Sequence, residues 1–290
     1  MIKKQINFLK LTPLFLSISS LLVIFSFFII AKNGFNYGVD FAGGTEIQVQ
    51  FNQPVTDASI RQFLSTQKIK NFNVQSFDEK NEFLIRLDAL SDLKLKKLTS
   101  NFKSTFSSKG FVMRRVDSVG PQIGSELKKK GLLALFYSLL IILIYVGLRF
   151  DYEYAPGAVI CLFHDVVITL GIFSLLQREV NLQTLAAVLT IIGYSLNDTI
   201  VTFDRIRENI ALYRDKTFSW IINSSLNDVL SRTILTSLTT SMAVFAMYFW
   251  ADGVIRDFAF TLGIGVIVGT YSSIYIASPL VQFITKFKKT

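Results

Sequence analysis

The sequence predicts a polytopic α-helical membrane protein with six transmembrane helices and one α+β domain inserted between the first and the second. Three observations carry this. Six stretches are each long and apolar enough to cross a bilayer, which takes about 20 residues at a helical rise of about 1.5 Å. One long polar segment, Lys32–Lys130, separates the first stretch from the other five. The 290 residues are 51% hydrophobic and 18% charged, against roughly 25% charged in an ordinary soluble domain. A disordered or collagen-like chain is excluded. Cys161 and His164 are the only residues of their types, so neither a disulfide framework nor a Cys/His metal site is expected. Heme and iron–sulfur centres are equally unsupported, and no cofactor is expected.

The spans are read as Leu14–Ala31, Leu132–Phe150, Pro156–Leu176, Leu182–Phe203, Thr233–Trp250 and Phe258–Ile284. Soluble core helices would be shorter and would carry a polar face. The first stretch follows Lys3, Lys4 and Lys10 but is closed by no small-residue cleavage site, so it reads as a retained anchor. Residues 1–31 thus form the N-terminus and first span, 32–130 the inserted domain, and 131–290 the remaining spans with a polar loop at 204–231. Short loops on one side hold 11 Lys/Arg, and those on the other hold only Arg178 and Arg256. Both termini are therefore expected in the cytoplasm and the inserted domain outside it, since long domains translocate whatever their charge. Lys128, Lys129 and Lys130 argue weakly the other way.

Within the inserted domain, Thr45–Phe51 alternates, turning Ile47, Val49 and Phe51 to one side as a strand does. Thr56–Gln67 reads as a helix with Thr56 as its N-cap. Phe72–Phe77 and Glu82–Leu87 alternate again around an Asp78-Glu79-Lys80-Asn81 turn. Ser91–Ser107 is a second helix and Phe111–Val119 a last strand. The order βαββαβ fits a ferredoxin-like split motif. No His, Cys or G-x-S-x-G occurs here, and no GK[ST] follows Gly43-Gly44, so no enzyme is expected. The glycine pair reads as a sharp turn where the chain leaves the membrane. The segment carries 16 basic and 10 acidic residues. Outside the cytoplasm such a surface suits solvent, polypeptide or lipid headgroups, and nucleic acid is not an expected partner.

Ionisable residues within spans are costly and are read as functional first. His164 and Asp165 lie in the third span, Asn197 and Asp198 in the fourth, and Arg232 at the start of the fifth. Asp198 is about 9 Å inward of Asp204, and Arg232 about 6 Å inward of Asp228 from the same side. Their depths agree, so a carboxylate–guanidinium pair is geometrically possible. Asp165, about 14 Å inward of Pro156, lies near the midplane. Thr236, Thr239 and Thr240 continue one face from Arg232, and Tyr194, Asn197 and Thr202 flank Asp198. Threonines on such helices often bond only their own backbone. Two readings stand for the Asp198–Arg232 pair: a static salt bridge setting register, or a proton site. Stability alone is a poor reason for a buried ion pair. One charge across 100 mV supplies roughly 2.3 kcal/mol and a pH unit about 1.4 kcal/mol, enough to bias a two-state rearrangement. His164 reads as a hydrogen-bonded packing residue, and Asp165 as its partner or as a further functional carboxylate.

Five blocks resemble the SecF family of bacterial protein-export membrane subunits. They are Tyr37–Gly44 (YGVDFAGG), Val119–Leu127 (VGPQIGSEL), Arg149–Asp165 (RFDYEYAPGAVICLFHD), Gly193–Asn209 (GYSLNDTIVTFDRIREN) and Ser231–Thr240 (SRTILTSLTT). The resemblance implies a plan similar to proton-driven RND transporters, with a SecD half as obligate partner. It implies work with the SecYEG channel and YajC on a translocating polypeptide in the bacterial inner membrane, driven by protons. The family's coupling residues fall on Asp198 and Arg232. The competing expectations are an RND-type exporter of small molecules or lipids, an intramembrane aspartyl protease using Asp165 and Asp198, and a scaffold of the export channel without a motor role.

Overall fold

The computed structural model describes residues 6–69, 71–77, 81–150, 152–251 and 253–288. It divides into two compact units, Tyr37–Leu132 and the helices before and after it. Six helices are long and apolar enough to cross a membrane. The helices are α1 (Phe8–Asn33), α2 (Val39–Ala42), α3 (Asp57–Thr66), α4 (Asp92–Phe106), α5 (Pro121–Arg149), α6 (Ala155–Leu175), α7 (Leu182–Leu212), α8 (Phe218–Trp250), α9 (Gly253–Ser272) and α10 (Ser278–Lys288). The strands are β1 (Asn36–Tyr37), β2 (Gly44–Phe51), β3 (Phe72–Phe77), β4 (Glu82–Leu87), β5 (Phe111–Val119) and β6 (Glu179–Val180).

In the smaller unit, β3, β4, β2 and β5 lie side by side in that order, all antiparallel. The alternation in β2 has its expected outcome: Ile47, Val49 and Phe51 are each 2% exposed or less. A bulge between Gln48 and Val49 shifts the register against β5, adding local twist to the strand. Thr56 caps α3 by accepting from the Ser59 amide. Helices α3 and α4 contribute Ile60, Phe63, Leu64, Leu98, Phe102 and Phe106 to the core beneath the sheet. Most of the expected turn at 78–81 lies outside the described residues; Asn81 is described and takes a positive φ of 50°. Gly43 and Gly44 have φ of 76° and 137°, where a side chain is strained. A Cβ on Gly43 would come 2.7 Å from Pro121 Cα, and one on Gly44 2.8 Å from the Leu87 carbonyl oxygen. The pair therefore does more than turn the chain: it lets the start of α5 press against the start of β2.

In the helical unit, α6 is the most enclosed span, whereas α1, α5 and α8 leave most of their apolar surface uncovered in the isolated chain. Small residues allow this enclosure, as expected where lipid offers no hydrophobic drive for helix association. Gly157 lets α6 approach the Ala277 carbonyl, and Gly171 lets it approach Ser26 on α1. Segment 204–231 departs from its reading as a loop. Helix α7 continues to Leu212 and α8 starts at Phe218, leaving only Tyr213–Thr217 between them. Hydropathy marks where a helix leaves lipid, but backbone hydrogen bonding carries it on into water. Beyond Phe203, Arg205 bonds Asp228 and Glu208, and Asn209 bonds Ser225 and Asp228. These contacts tie α7 to α8. On α8, Asn223 and Asn227 accept from the backbone amides of Phe8 and Ile6 and donate to the Ile6 carbonyl, holding the start of α1.

Candidate functional site

Helix α7 starts from a capping box in which Asn181 Oδ1 accepts the Thr184 amide at 2.9 Å. It then runs against α6, α8 and α9. This places Ser195, Asp198, Thr199 and Thr202 in the interior of the helical unit. Asp198 is 3% exposed. Its Oδ2 has no hydrogen-bond partner among the described residues, and neither does the hydroxyl of adjacent Thr199. Leaving a buried carboxylate oxygen unpaired is costly, so this atom stands out from the satisfied polar groups around it. Thr202, one turn on, donates to the Asp198 carbonyl at 3.0 Å.

Arg232 lies on an exposed face of α8 in the isolated chain. No ion pair within 4.0 Å joins it to Asp198. Depth arithmetic places two residues at one level of the membrane but does not set the rotation of either helix. The threonines beyond Arg232 mostly serve their own backbone: Thr236 donates to the carbonyls of Arg232 and Thr233, and Thr239 to those of Leu235 and Thr236. Thr240 is half-buried and Asn197 is exposed. Tyr194 reaches Ser237 on α8 at 3.4 Å, and the Ser237 hydroxyl pairs with that of Thr270 on α9 at 2.6 Å.

Asp165 is fully buried. Its Oδ2 accepts from Ser195 on α7 at 2.6 Å and from Ser272 on α9 at 2.8 Å. Its Oδ1 meets His164 Nδ1 at 2.9 Å. The structure therefore brings His164 and Asp165 together, as one of the sequence readings has it. It does not set Asp165 against Asp198 in a shared carboxylate pair, the geometry an aspartyl protease requires: Asp165 is occupied by hydroxyls and imidazole. Ser195, Ser237, Thr270 and Ser272 are the polar contributors that the sequence reading missed. Hydroxyls in apolar spans carry no charge to flag them, although Cys161 stands one turn from Asp165 and donates to Ser272 at 3.1 Å. Among the described residues no group of His, Cys, Asp or Glu is arranged to hold a metal.

The family model for the C-terminal region of the protein export membrane proteins SecD and SecF matches residues 97–287. The SecD/SecF GG motif matches residues 28–55, which include Gly43 and Gly44. A protein translocase subunit SecF from Calditerrivibrio nitroreducens is 45% identical over 98% of this chain and 96% of its own. Another from Desulfurispirillum indicum is 43% identical over 96% of this chain and 91% of its own. The crystal structure of SecDF from Thermus thermophilus, titled a translocon-associated membrane protein, superimposes with a TM-score of 0.88 at 36% identity. The match covers all of this chain and 40% of that one. The five sequence blocks, the six spans and these matches agree, and the chain belongs to the SecD/SecF family of protein-export membrane proteins, as a SecF-type multi-pass subunit.

Proposed function

We propose that this chain is one half of a proton-driven motor that promotes protein translocation across the bacterial inner membrane, with a SecD half as its obligate partner. Asp198 is the proton-carrying group and Arg232 its counter-charge. The observation that carries this reading is the buried, unpaired Oδ2 of Asp198 in the middle of a membrane helix. Such an oxygen is open to a proton or to a guanidinium brought up to it. A shift of α8 against α7 would exchange one for the other. A transmembrane potential of 100 mV supplies roughly 2.3 kcal/mol per charge, within the range that biases such two-state elements. The SecYEG channel, YajC and the emerging polypeptide are the further partners that the family resemblance supports. The strand order β3-β4-β2-β5 with two helices on one face supports a ferredoxin-like reading of the sheet unit. The role is transport and not catalysis.

The test uses Asp198→Asn and Arg232→Met in the complex with the SecD half, assembly being confirmed by co-purification. Both variants are expected to lose proton flux and the proton-dependent part of precursor export by roughly tenfold or more, the scale of a lost charge-coupled step. Normal export in both would reject the motor and favour a scaffold.

Orientation is part of the proposal, with both termini cytoplasmic and the sheet unit periplasmic. Cysteines at Ser108 and Asp215, both exposed, test it with a membrane-impermeant maleimide. The one native cysteine, Cys161, is buried and contributes little background. Lys216 lies 2.9 Å from Asp215 and holds its carboxyl below the usual carboxylate range, and the same cation would favour a reactive thiolate there. Ser108→Cys is expected to react from outside the cell membrane and Asp215→Cys only after lysis. The reverse pattern would overturn the orientation.

A further inference from the structure

The unpaired oxygen of Asp198 has a counterpart on α6. His164 is 5% exposed, and its Nε2 has no hydrogen-bond partner among the described residues. Its Nδ1 faces Asp165 Oδ1 at 2.9 Å. The tautomer follows from the rest of the network. Two hydroxyls already donate to Oδ2 of Asp165, so the carboxylate acts as an acceptor and Nδ1 carries the ring proton. The alternative puts the proton on Nε2 and buries an N–H with nothing to receive it, which native structures avoid more strictly than an idle acceptor. Nε2 therefore presents a lone pair inside the helical unit, with a carboxylate bonded to the opposite side of the ring.

From this geometry we infer that His164 and Asp165 form a second proton-binding site, separate from Asp198. A proton taken from water onto Nε2 makes an imidazolium, whose charge Asp165 balances through the Nδ1–H bond. Returning that proton to water restores the neutral ring. Asp165 transmits the change. Ser195 holds it to α7, three residues before Asp198, and Ser272 holds it to α9. Directly after Ser272 the helix opens into a π-turn, Ser273–Ala277, the kind of irregularity that concentrates at functional positions in helices. Gly269 keeps the space open, since a Cβ there would lie 3.0 Å from Ser195 Cβ and 3.5 Å from Asp165 Oδ2.

The titratable groups around the ring are few. On its own helix they are Asp165 and Cys161. Helix α9 adds Tyr271, whose ring centroid is 6.3 Å away and whose hydroxyl is engaged by Ser19 and the Phe15 carbonyl of α1. The π-turn adds Tyr275, whose ring is tilted against that of Tyr271 at a centroid distance of 5.6 Å. Helix α7 carries Asp198 three residues beyond the Ser195 hydroxyl that bonds Asp165. No Lys or Arg lies within 4.0 Å of Asp165 among the described residues, so His164 is the one cationic partner available to it.

This site deepens the proton-driven reading and rests on it for its purpose, but its occupancy can be read directly. His164 is the only histidine in the chain, so selective ¹⁵N-histidine labelling of this subunit, in the complex with an unlabelled SecD half, gives one imidazole signal pair. Near neutral pH the expected spectrum has a protonated Nδ1 and a bare Nε2, with one titration to imidazolium on acidification. In Asp165→Asn the imidazolium signal is expected to weaken at the same acidic pH, as the balancing charge is lost. An Nε2-protonated ring, or a ring that does not titrate between about pH 4 and 9, would overturn the proposal whatever Asp198 does. A second arm measures export against pH in His164→Gln complexes that co-purify normally. The wild-type profile is expected to shift or lose one limb, and an unchanged profile would overturn the transmitting role. Failure of the motor reading alone would appear differently, as normal titration of His164 with export indifferent to Asp198→Asn.

Discussion

Gly265→Leu is expected to leave the helical unit unassembled, with little folded complex recovered from membranes. Gly265 sits on α9 where it crosses α7. A Cβ at this position would fall inside the side chain of Ile191, with Cγ2 at 2.8 Å and two further carbons closer still. Ile191 is 1% exposed and packed with Val244, Leu262 and Val266, so it has nowhere to retreat. Overpacking of this kind costs about 1–3 kcal/mol in soluble cores. In a membrane the helices associate through close packing and interhelical hydrogen bonds, so separating them forfeits most of what holds them. The damage would spread, because the same helix pair carries Ser195, Asp198, Gly269 and Ser272. Gly265→Ala should show a smaller loss in the same direction. Gly193→Ala is the control: a Cβ there meets nothing within 4 Å, and alanine favours helix by about 1 kcal/mol. Thermal stability in detergent and co-purification with the SecD half read all three. A Gly265→Leu complex as stable as Gly193→Ala would refute the argument.

The elements legible in the sequence are those for which one physical requirement dominates. A bilayer forces every lipid-crossing helix to be apolar along its length, so all six spans could be located, and each of them appears as a helix. A half-buried sheet forces alternation, so β2 could be read residue by residue, Ile47, Val49 and Phe51 turning inward as expected; β4, with Phe83, Leu84 and Ile85 all buried, does not alternate. The cap at Thr56 needs only a side-chain oxygen at one position. Other features depend on two elements at once and leave little trace in one stretch of chain. Helix α8 is apolar over most of its circumference, so its pattern does not reveal which way Arg232 faces. Its level against Asp198 could be counted, but not the rotation that keeps the two from touching here. Ser195 and Ser272 are unremarkable serines until α7 and α9 bring both to one oxygen of Asp165. The role of Gly43 and Gly44 in admitting Pro121 and Leu87 likewise depends on a contact across the sheet unit. The polar ends of α7 and α8 read as loop because charge marks solvent, whereas their pairing through Arg205, Asp228 and Asn209 is tertiary.

The second large effect is expected in the sheet unit. Phe51→Ala should strongly destabilise the sheet and its two helices while the membrane helices remain assembled. Phe51 is 2% exposed, and its ring sits among Phe83, Phe102, Phe106 and Phe111 at centroid distances of 5.8, 6.3, 5.3 and 5.8 Å. Through these rings Phe51 touches both neighbouring strands and the second helix. Removing such a ring from a core costs about 3–5 kcal/mol, against a total of about 5–15 kcal/mol for a typical domain. The two compact units have separate cores, so the cost falls on the sheet. Amide exchange at Ile47, Val49 and Ile85 should accelerate by orders of magnitude, as local opening becomes global opening of the unit. Amides of α6 and α7 should keep their protection. Leu93→Ala, at a site 81% exposed, should change neither, since surface substitutions usually stay within about 0.5 kcal/mol. Because the two kinds of protection are read in one sample, loss of both in Phe51→Ala would show that the helices depend on the sheet unit for their own stability. Loss of neither would mean that the aromatic cluster is not the core of that unit. Retained helix protection with a melted sheet would then allow a sharper question: whether the proton flux proposed for Asp198 continues when the sheet unit is unfolded.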